Sequence, residues 1–263
     1  MFIDYLANKN PLVEVHPAYK MLYVALIFLA SFLCSQSWLL LFFYLGNLLL
    51  SRYLLQISWP TLVRLERAPL LVLGVSLLTL ILAVTQRPNL ALIPTGDLLW
   101  ASSGKSLVFY LTRSSMQRAL HLGARVLSLL AALEFLALST PLVEMNQVLR
   151  DWHVPAVLMN LTELLYRYIF YIYDTFETVI TSQTLRLGYR NLRTGIPSLG
   201  RALGLVLSRT LEAADDLDIA LELKLFDGTF RYLGRVYRPA SWLEYALVAL
   251  GLFALGGAIL CRL

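Results

Sequence analysis

The sequence predicts an all-α integral membrane protein, on the evidence of its composition, its uncharged stretches and the placement of its charges. Hydrophobic residues make up 58% of the 263 residues and charged residues only 15%, whereas a soluble domain carries about 25% charged residues. We expect about five transmembrane helices, four in residues 1–140 and one in residues 241–263. Residues 141–240, which hold half of the 22 lysines and arginines, should form a cytoplasmic layer of amphipathic helices.

The first uncharged stretch covers residues 21–51. As a single helix it would measure roughly 46 Å, well beyond a hydrocarbon core of about 30 Å. The polar sequence Ser35-Gln36-Ser37 lies near its middle, which favours two short helices joined by a tight turn. One tilted helix is the alternative.

Three further spans are expected at residues 68–86, 118–139 and 245–261. Between the first two of these, residues 87–117 should form a long extracytoplasmic loop, because proline and glycine punctuate it. Within that loop, the apolar run Leu107–Leu111 predicts one arm of a small hairpin.

The span at 118–139 is unusual because it contains the ionisable residues His121, Arg125 and Glu134. Arg125 and Glu134 are nine residues apart, so they point to opposite faces of a helix and cannot pair. Ionisable groups are costly in a bilayer and mark an interior face by default. We expect Arg125 to reach the membrane surface or to bind a backbone carbonyl between helices; the alternative is that the three residues line a solute path.

The stretch between Ile180 and Leu211 contains five arginines and no acidic residue. These arginines are Arg186, Arg190, Arg193, Arg201 and Arg209. The i, i+4, i+7 spacing of the first three predicts one basic helical face. The preceding segment, residues 155–181, contains four charges and is expected to lie at the membrane surface rather than cross the bilayer. Gly195–Ser198 should break the chain between two helices, the second covering residues 198–226.

The distribution of lysine and arginine predicts which side of the membrane each segment faces. If the residues before 21, those from 52 to 67 and those from 141 to 238 are cytoplasmic, 16 of the 22 basic residues face the cytoplasm. The N-terminus is then cytoplasmic. The net charge of +5 indicates topology and contact with anionic lipid, not nucleic-acid binding.

The second helix of the 141–240 region carries like charges at i, i+4, Glu212 with Asp216 and Asp218 with Glu222. Its acidic residues also cluster toward its C-terminal half, against the helix dipole. These defects indicate a positive neighbour. That neighbour is either a partner protein or the basic face described above.

The sequence shows no catalytic constellation. His16, His121 and His153 are scattered, and neither a phosphate-binding loop nor a metal-ligand cluster is present. We therefore expect no enzyme activity, no metal and no cofactor on this chain. An intramembrane enzyme acting on lipid would need a clustered acid, base or metal set.

The segment Gln183-Thr184-Leu185-Arg186-Leu187-Gly188-Tyr189-Arg190 resembles a coupling-helix signature. The family is the transmembrane (T) component of energy-coupling-factor (ECF) transporters, in its CbiQ branch, which is associated with cobalt and nickel uptake. Val15-His16-Pro17-Ala18-Tyr19-Lys20 looks like the opening of that branch, and Tyr166–Phe170 followed by Asp174 resembles its segment before the signature. The resemblance covers nearly the whole chain.

In that family two arginine-bearing signatures end two cytoplasmic coupling helices, and each inserts into a groove of an ATP-binding-cassette (ABC) subunit. The resemblance assigns the first to Arg186 and Gly188, and the i, i+4, i+7 spacing adds Arg190 and Arg193 as a supporting basic face. The second should read Ala-Arg-Gly, where this chain has Leu223-Lys224-Leu225, followed by a matching Asp227-Gly228. Lysine lacks the planar fork of arginine and the leucines add bulk, so we expect Arg186 to dock more strongly than Lys224.

The resemblance implies a scaffold subunit of an importer in the bacterial inner membrane. Two cytoplasmic ATPase subunits would bind ATP and Mg, and a separate substrate-binding membrane subunit would carry cobalt or nickel. The scaffold would couple ATP hydrolysis to movement of that subunit. The alternatives are a vitamin-type ECF transporter and a self-contained permease.

Overall fold

The computed structural model describes residues 10–81, 83–86, 98–101, 107–226, 237 and 242–261. The chain divides into two compact units. The first unit consists of Met1–Leu142 and Val236–Leu263, and the second of Val143–Arg235. Helices dominate both units, which confirms the predicted fold class.

The described residues of the first unit form five α-helices, a short 3-10 helix and three strands. In chain order they are the 3-10 helix Pro11–Glu14, α1 (Pro17–Leu33), α2 (Ser37–Leu54), α3 (Trp59–Ile81), β1 (Ala83–Gln86), β2 (Leu98–Ala101), β3 (Leu107–Thr112), α4 (Arg113–Ser139) and α8 (Trp242–Leu260). The second unit is built from α5 (Leu142–Asp151), α6 (Ala156–Leu185) and α7 (Leu192–Leu223).

Helix α1 lies at the centre of the first unit and packs against α4 and α8, while α2 packs against α4. Tyr23, Ile27 and Phe135 are completely buried there, and the rings of Tyr23 and Phe135 meet edge to face with centroids 5.5 Å apart. Close packing of α8 depends on a small residue, because a Cβ on Gly251 would lie 2.9 Å from Leu26 Cδ1.

Among the described residues, three helices are long and apolar enough to cross a membrane: α2, α4 and α8. Helix α1 is apolar but shorter, with 17 residues. The two-helix interpretation of residues 21–51 is confirmed, because α1 ends at Leu33 and α2 begins at Ser37. Within α2, Asn47 accepts a hydrogen bond from the Tyr23 hydroxyl at 2.9 Å, which ties the two helices together.

The span expected at residues 68–86 needs correction at both ends. Helix α3 begins earlier, at Trp59, and ends at Ile81. Residues 83–86 instead form strand β1, which pairs antiparallel with the central strand β3 in the order β1-β3-β2. The predicted hairpin arm at Leu107–Leu111 is therefore confirmed as β3. This strand pairs with two partners, β1 along one edge and β2 along the other.

In the second unit, α6 and α7 form an antiparallel helical hairpin. Val179 of α6 packs against Ala202 and Val206 of α7, and farther along the pair the Tyr168 hydroxyl donates to the Ala213 carbonyl at 2.9 Å. The buried positions of α7, including Ser198, recur every four residues, so one narrow stripe holds the hairpin together.

The expected break at Gly195–Ser198 is wrong. Helix α7 begins at Leu192 and continues through Pro197. A capping box starts it early, in which the Asn191 side chain accepts from the backbone N–H of Thr194 and the Thr194 side chain binds the backbone N–H of Asn191. Pro197 comes soon after this start, where the helix continues without its N–H donor.

Candidate functional site

Arg186 lies at the point where α6 ends. Its backbone is close to helical (φ −86°, ψ 13°), and Leu187 then adopts the left-handed conformation with φ 59°. The amides of Leu187 and Gly188 donate back to the carbonyls of Thr184 and Gln183, both at 2.9 Å. These bonds satisfy the last carbonyls of α6 and turn the chain sharply.

Lys224 ends α7 with almost the same backbone geometry. Its φ and ψ are −88° and 6°, and Leu225 after it has φ 52°. The amides of Leu225 and Phe226 donate to the carbonyls of Glu222 and Leu221 at 3.0 and 3.1 Å. The two helices therefore close with the same hydrogen-bonding motif, with a basic residue at the same position in each.

Each basic residue is flanked by two leucines that point into solvent. We call Leu185-Arg186-Leu187 the first end motif and Leu223-Lys224-Leu225 the second end motif. The leucine side chains are 81% and 66% exposed in the first and 80% and 89% exposed in the second. Full burial of a leucine side chain yields about 1.5–3 kcal/mol, so an apolar pocket on a partner would gain by receiving them.

This equivalence revises the contrast drawn from the sequence. The leucines at 223 and 225 were expected to distinguish the second signature, but the first end motif carries leucines at the same two positions. The remaining difference between the motifs is Arg186 against Lys224. Asp227 and Gly228, which the resemblance adds to the second signature, lie outside the described residues.

The chain turn behind the first end motif leaves no room for a side chain at Gly188. A Cβ placed there would lie 2.9 Å from both the Gln183 carbonyl oxygen and Ser198 Oγ. Since Ser198 is buried at the base of α7, glycine at 188 allows the end of α6 to approach the start of α7.

The predicted single basic face of Arg186, Arg190 and Arg193 is wrong. Arg186 ends α6, Arg190 lies in the turn, and Arg193 belongs to the first turn of α7. The left-handed residue Leu187 interrupts the helical periodicity on which the prediction depended. All three side chains are exposed.

The acidic half of α7 is distant from those arginines. Arg193 and Glu212 are separated by 19 residues of one helix, which corresponds to about 28 Å along its axis. Of the two neighbours considered for the acidic residues, the basic residues at the start of α7 are therefore excluded by distance.

The three ionisable residues of α4 fall into two separate groups. Arg125 Nη2 donates to the Cys34 carbonyl at 3.2 Å and contacts His121 Nε2 at 3.0 Å, so it binds a backbone carbonyl between helices. Glu134 instead lies beside the side chain of Glu66 on α3, with Tyr44 also close to Glu66. Nine residues separate Arg125 from Glu134, about 14 Å along the helix, so the two groups do not contact each other.

Several residues that hold the first unit together were given no structural role in the sequence analysis. The Lys20 ammonium, completely buried, donates to the Ser139 carbonyl at 3.0 Å, and the Asn10 amide donates to the Leu138 carbonyl at 3.0 Å. The His16 backbone N–H donates to Glu244 Oε1 at 3.0 Å. The opening motif Val15–Lys20 thus connects α1 to α4 and α8. In the sequence this motif was recognised only through its family resemblance.

Among the described residues, no group of three or more His, Cys, Asp and Glu side chains is arranged to hold a metal ion. The described ion pair in the second unit joins Arg150 Nη2 to Glu163 Oε1 at 3.3 Å and links α5 to α6. The end motifs are therefore the described features that combine charge, exposed apolar area and a defined backbone.

Comparison with known proteins yields a family match over most of the chain. Residues 8–235 match the family model CbiQ, described as cobalt transport protein. This range includes both end motifs, α1 to α7 and the strands.

Individual relatives are similar at moderate identity. The chain is 29% identical to the cobalt transport protein CbiQ of Salmonella typhimurium over 184 residues, which is 69% of this chain and 77% of that protein. It is 32% identical to the cobalt transport protein CbiQ of Rhodobacter capsulatus over 106 residues, or 40% and 43% of the two chains. An uncharacterized protein of Methanocaldococcus jannaschii is 31% identical over 128 residues, about half of each chain (49% and 48%).

Proposed function

This chain belongs to the CbiQ cobalt transport protein family, and we propose that it is the membrane scaffold subunit of a cobalt importer. In this proposal two ATPase subunits, which hold ATP and Mg, dock on the second unit. A separate substrate-binding membrane subunit carries the cobalt ion. The N-terminus and the second unit face the cytoplasm of a bacterial cell.

The observation that carries the proposal is the equivalence of the two end motifs. Two helices end with the same backbone turn, and each presents one cation between two exposed leucines. A pair of like binding surfaces suits a pair of like partners. The chemistry fits a groove with an apolar wall and a carboxylate, which would accept the leucines and the cation respectively.

In the proposed mechanism, the ATPase subunits act on the scaffold at the two end motifs. Closure of the two ATPases on ATP would move both end motifs, and the α6–α7 hairpin would transmit that movement because Val179, Ala202 and Val206 pack it into one body. The scaffold supplies no chemical step. It links a nucleotide-dependent change in its partners to a change in the substrate-binding subunit.

The two end motifs should differ in strength although their backbones agree. Arginine can make a bidentate contact with a carboxylate, whereas lysine makes a point contact. We expect Arg186→Ala to lower recovery of the ATPase subunits in co-purification by about tenfold or more, since a charge-assisted hydrogen bond is worth roughly 1.5–3 kcal/mol. Lys224→Ala should lower it by a smaller factor.

The matched control is Arg201→Ala, which removes an exposed arginine from α7 outside both end motifs. Cobalt uptake in cells that express all subunits gives the second readout. Equal losses from Arg186→Ala and Lys224→Ala would contradict the predicted asymmetry. Unchanged recovery in the double variant would contradict the docking role itself.

A further inference from the structure

A pocket of about 690 Å³, mostly apolar with several polar side chains in its lining, lies in the first unit, where the turn between α1 and α2 meets the first turns of α4. Its polar lining comes from both elements. The residues are Ser35, Ser37, Ser114, Gln117, Arg118 and His121. None of the described lining residues is acidic, so they offer hydrogen-bond donors and positive charge to a ligand.

The hydrogen bonds around His121 fix which groups can donate. A guanidinium has donors only, so His121 Nε2 must accept from Arg125 Nη2 at 3.0 Å. A neutral imidazole then carries its hydrogen on Nδ1, which donates to Ser37 Oγ at 3.2 Å. The hydroxyl hydrogen of Ser37 is consequently directed elsewhere and is available to a ligand in the pocket.

Arg118 supplies the charge. Its guanidinium is steadied on its own helix, with Nε donating to the Ser114 carbonyl at 3.3 Å and Nη2 to Ser114 Oγ at 3.5 Å. The side chain is exposed, and a guanidinium has five N–H donors, so further donors remain for an anion. Phosphate oxygens match this arrangement of donors.

The surroundings of the pocket are apolar. Leu120 and Leu122 complete the lining and are 60% and 41% exposed, and Trp38, which follows Ser37, is 63% exposed. These side chains belong to α2 and α4, which are long and apolar enough to cross a membrane. Tryptophan is enriched at the membrane–water interface, so the pocket occupies the position where a lipid headgroup would lie beside its acyl chains.

We propose that this pocket binds the phosphate group of an anionic phospholipid. Arg118, Ser37 and Gln117 donate to the phosphate, and the acyl chains lie along Leu120 and Leu122. The site includes no residue of the end motifs and does not depend on the proposed transport function.

The test is native mass spectrometry of the purified full chain, titrated with phosphatidylglycerol after removal of lipid. We expect Arg118→Ala to weaken binding of phosphatidylglycerol by about tenfold and Ser37→Ala by about threefold, because a charge-assisted bond contributes more than a neutral one. The control is Arg113→Ala, which removes an exposed arginine from the same end of α4 outside the pocket. That control should change binding less than twofold.

Two further measurements test whether the bound phosphate belongs to a lipid and whether the variants are folded. Competition by inorganic phosphate at millimolar concentration, equal to that by the lipid, would overturn the assignment to lipid. Equal weakening by Arg113→Ala and Arg118→Ala would show diffuse charge attraction and would also overturn it. Thermal unfolding of each variant verifies folding, and Arg118→Lys, which keeps the charge, should restore part of the lost affinity.

Discussion

Gly188 is held between the last turn of α6 and Ser198 of α7, and a methyl group there would meet oxygen atoms on both sides. We expect Gly188→Ala to destabilise the α6–α7 hairpin by about 1–3 kcal/mol, the usual cost of overpacking. The measurement is the thermal unfolding temperature of the purified protein. Gly200→Ala is the matched control, because no heavy atom lies within 4 Å of its Cβ position; that exposed helical site should gain about 0.5–1 kcal/mol. A similar loss from both changes would contradict the steric explanation.

Two carboxyl groups, Glu66 of α3 and Glu134 of α4, lie beside each other. Two carboxyl groups can hydrogen-bond only when one of them keeps its proton and donates. We therefore expect Glu134→Gln, whose amide also donates, to preserve stability within about 0.5 kcal/mol. Glu134→Ala should cost about 1–3 kcal/mol, since it leaves the buried Glu66 without that partner. Thermal unfolding in detergent distinguishes the two variants, and a larger loss from Glu134→Gln than from Glu134→Ala would contradict a hydrogen bond between the two side chains.

The elements show which features the sequence could predict. The transmembrane helices could be predicted because long stretches of the sequence carry no charge. The turn at residues 35–37 could be predicted because three polar residues interrupt an apolar run. The end of α3 was misplaced because Leu82, Ala83 and Val84 continue the apolar run in the sequence, whereas pairing with the distant strand β3 decides the conformation of residues 83–86. The break between α6 and α7 was misplaced because Gly195 and Pro197 are strong local signals, whereas a left-handed leucine at 187 has no sequence signal.

The residues of the candidate site could be predicted from the sequence, but their geometry could not. Arg186 and Lys224 were named through a family resemblance, but their equivalence depends on backbone angles that no spacing pattern encodes. The pairing of Glu134 with Glu66 also requires knowledge of how α3 and α4 are placed. That His121 and Arg125 contact each other follows from their i, i+4 spacing.

For the whole molecule, the distribution of basic residues predicts that the α1–α2 turn and the second unit face opposite sides of the membrane. We expect a cysteine at Gln36 to react with a membrane-impermeant maleimide in intact cells. A cysteine at Leu192, which is 86% exposed, should react only after permeabilisation. Both are placed in a background with Cys34 and Cys261 replaced by alanine. Reaction of both sites from the same side would contradict the topology.

The left-handed leucines of the two end motifs, Leu187 and Leu225, should lower the stability of the free chain and raise the stability of its complex with the ATPase subunits. A non-glycine residue at such a φ costs about 1–2 kcal/mol, and glycine would occupy positions 187 and 225 without that cost. We expect Leu187→Gly and Leu225→Gly to raise the unfolding temperature of the isolated protein while lowering recovery of the ATPase subunits. A parallel rise or fall in both quantities would contradict this interpretation. On this interpretation the two leucines destabilise the unassembled subunit and stabilise the complex.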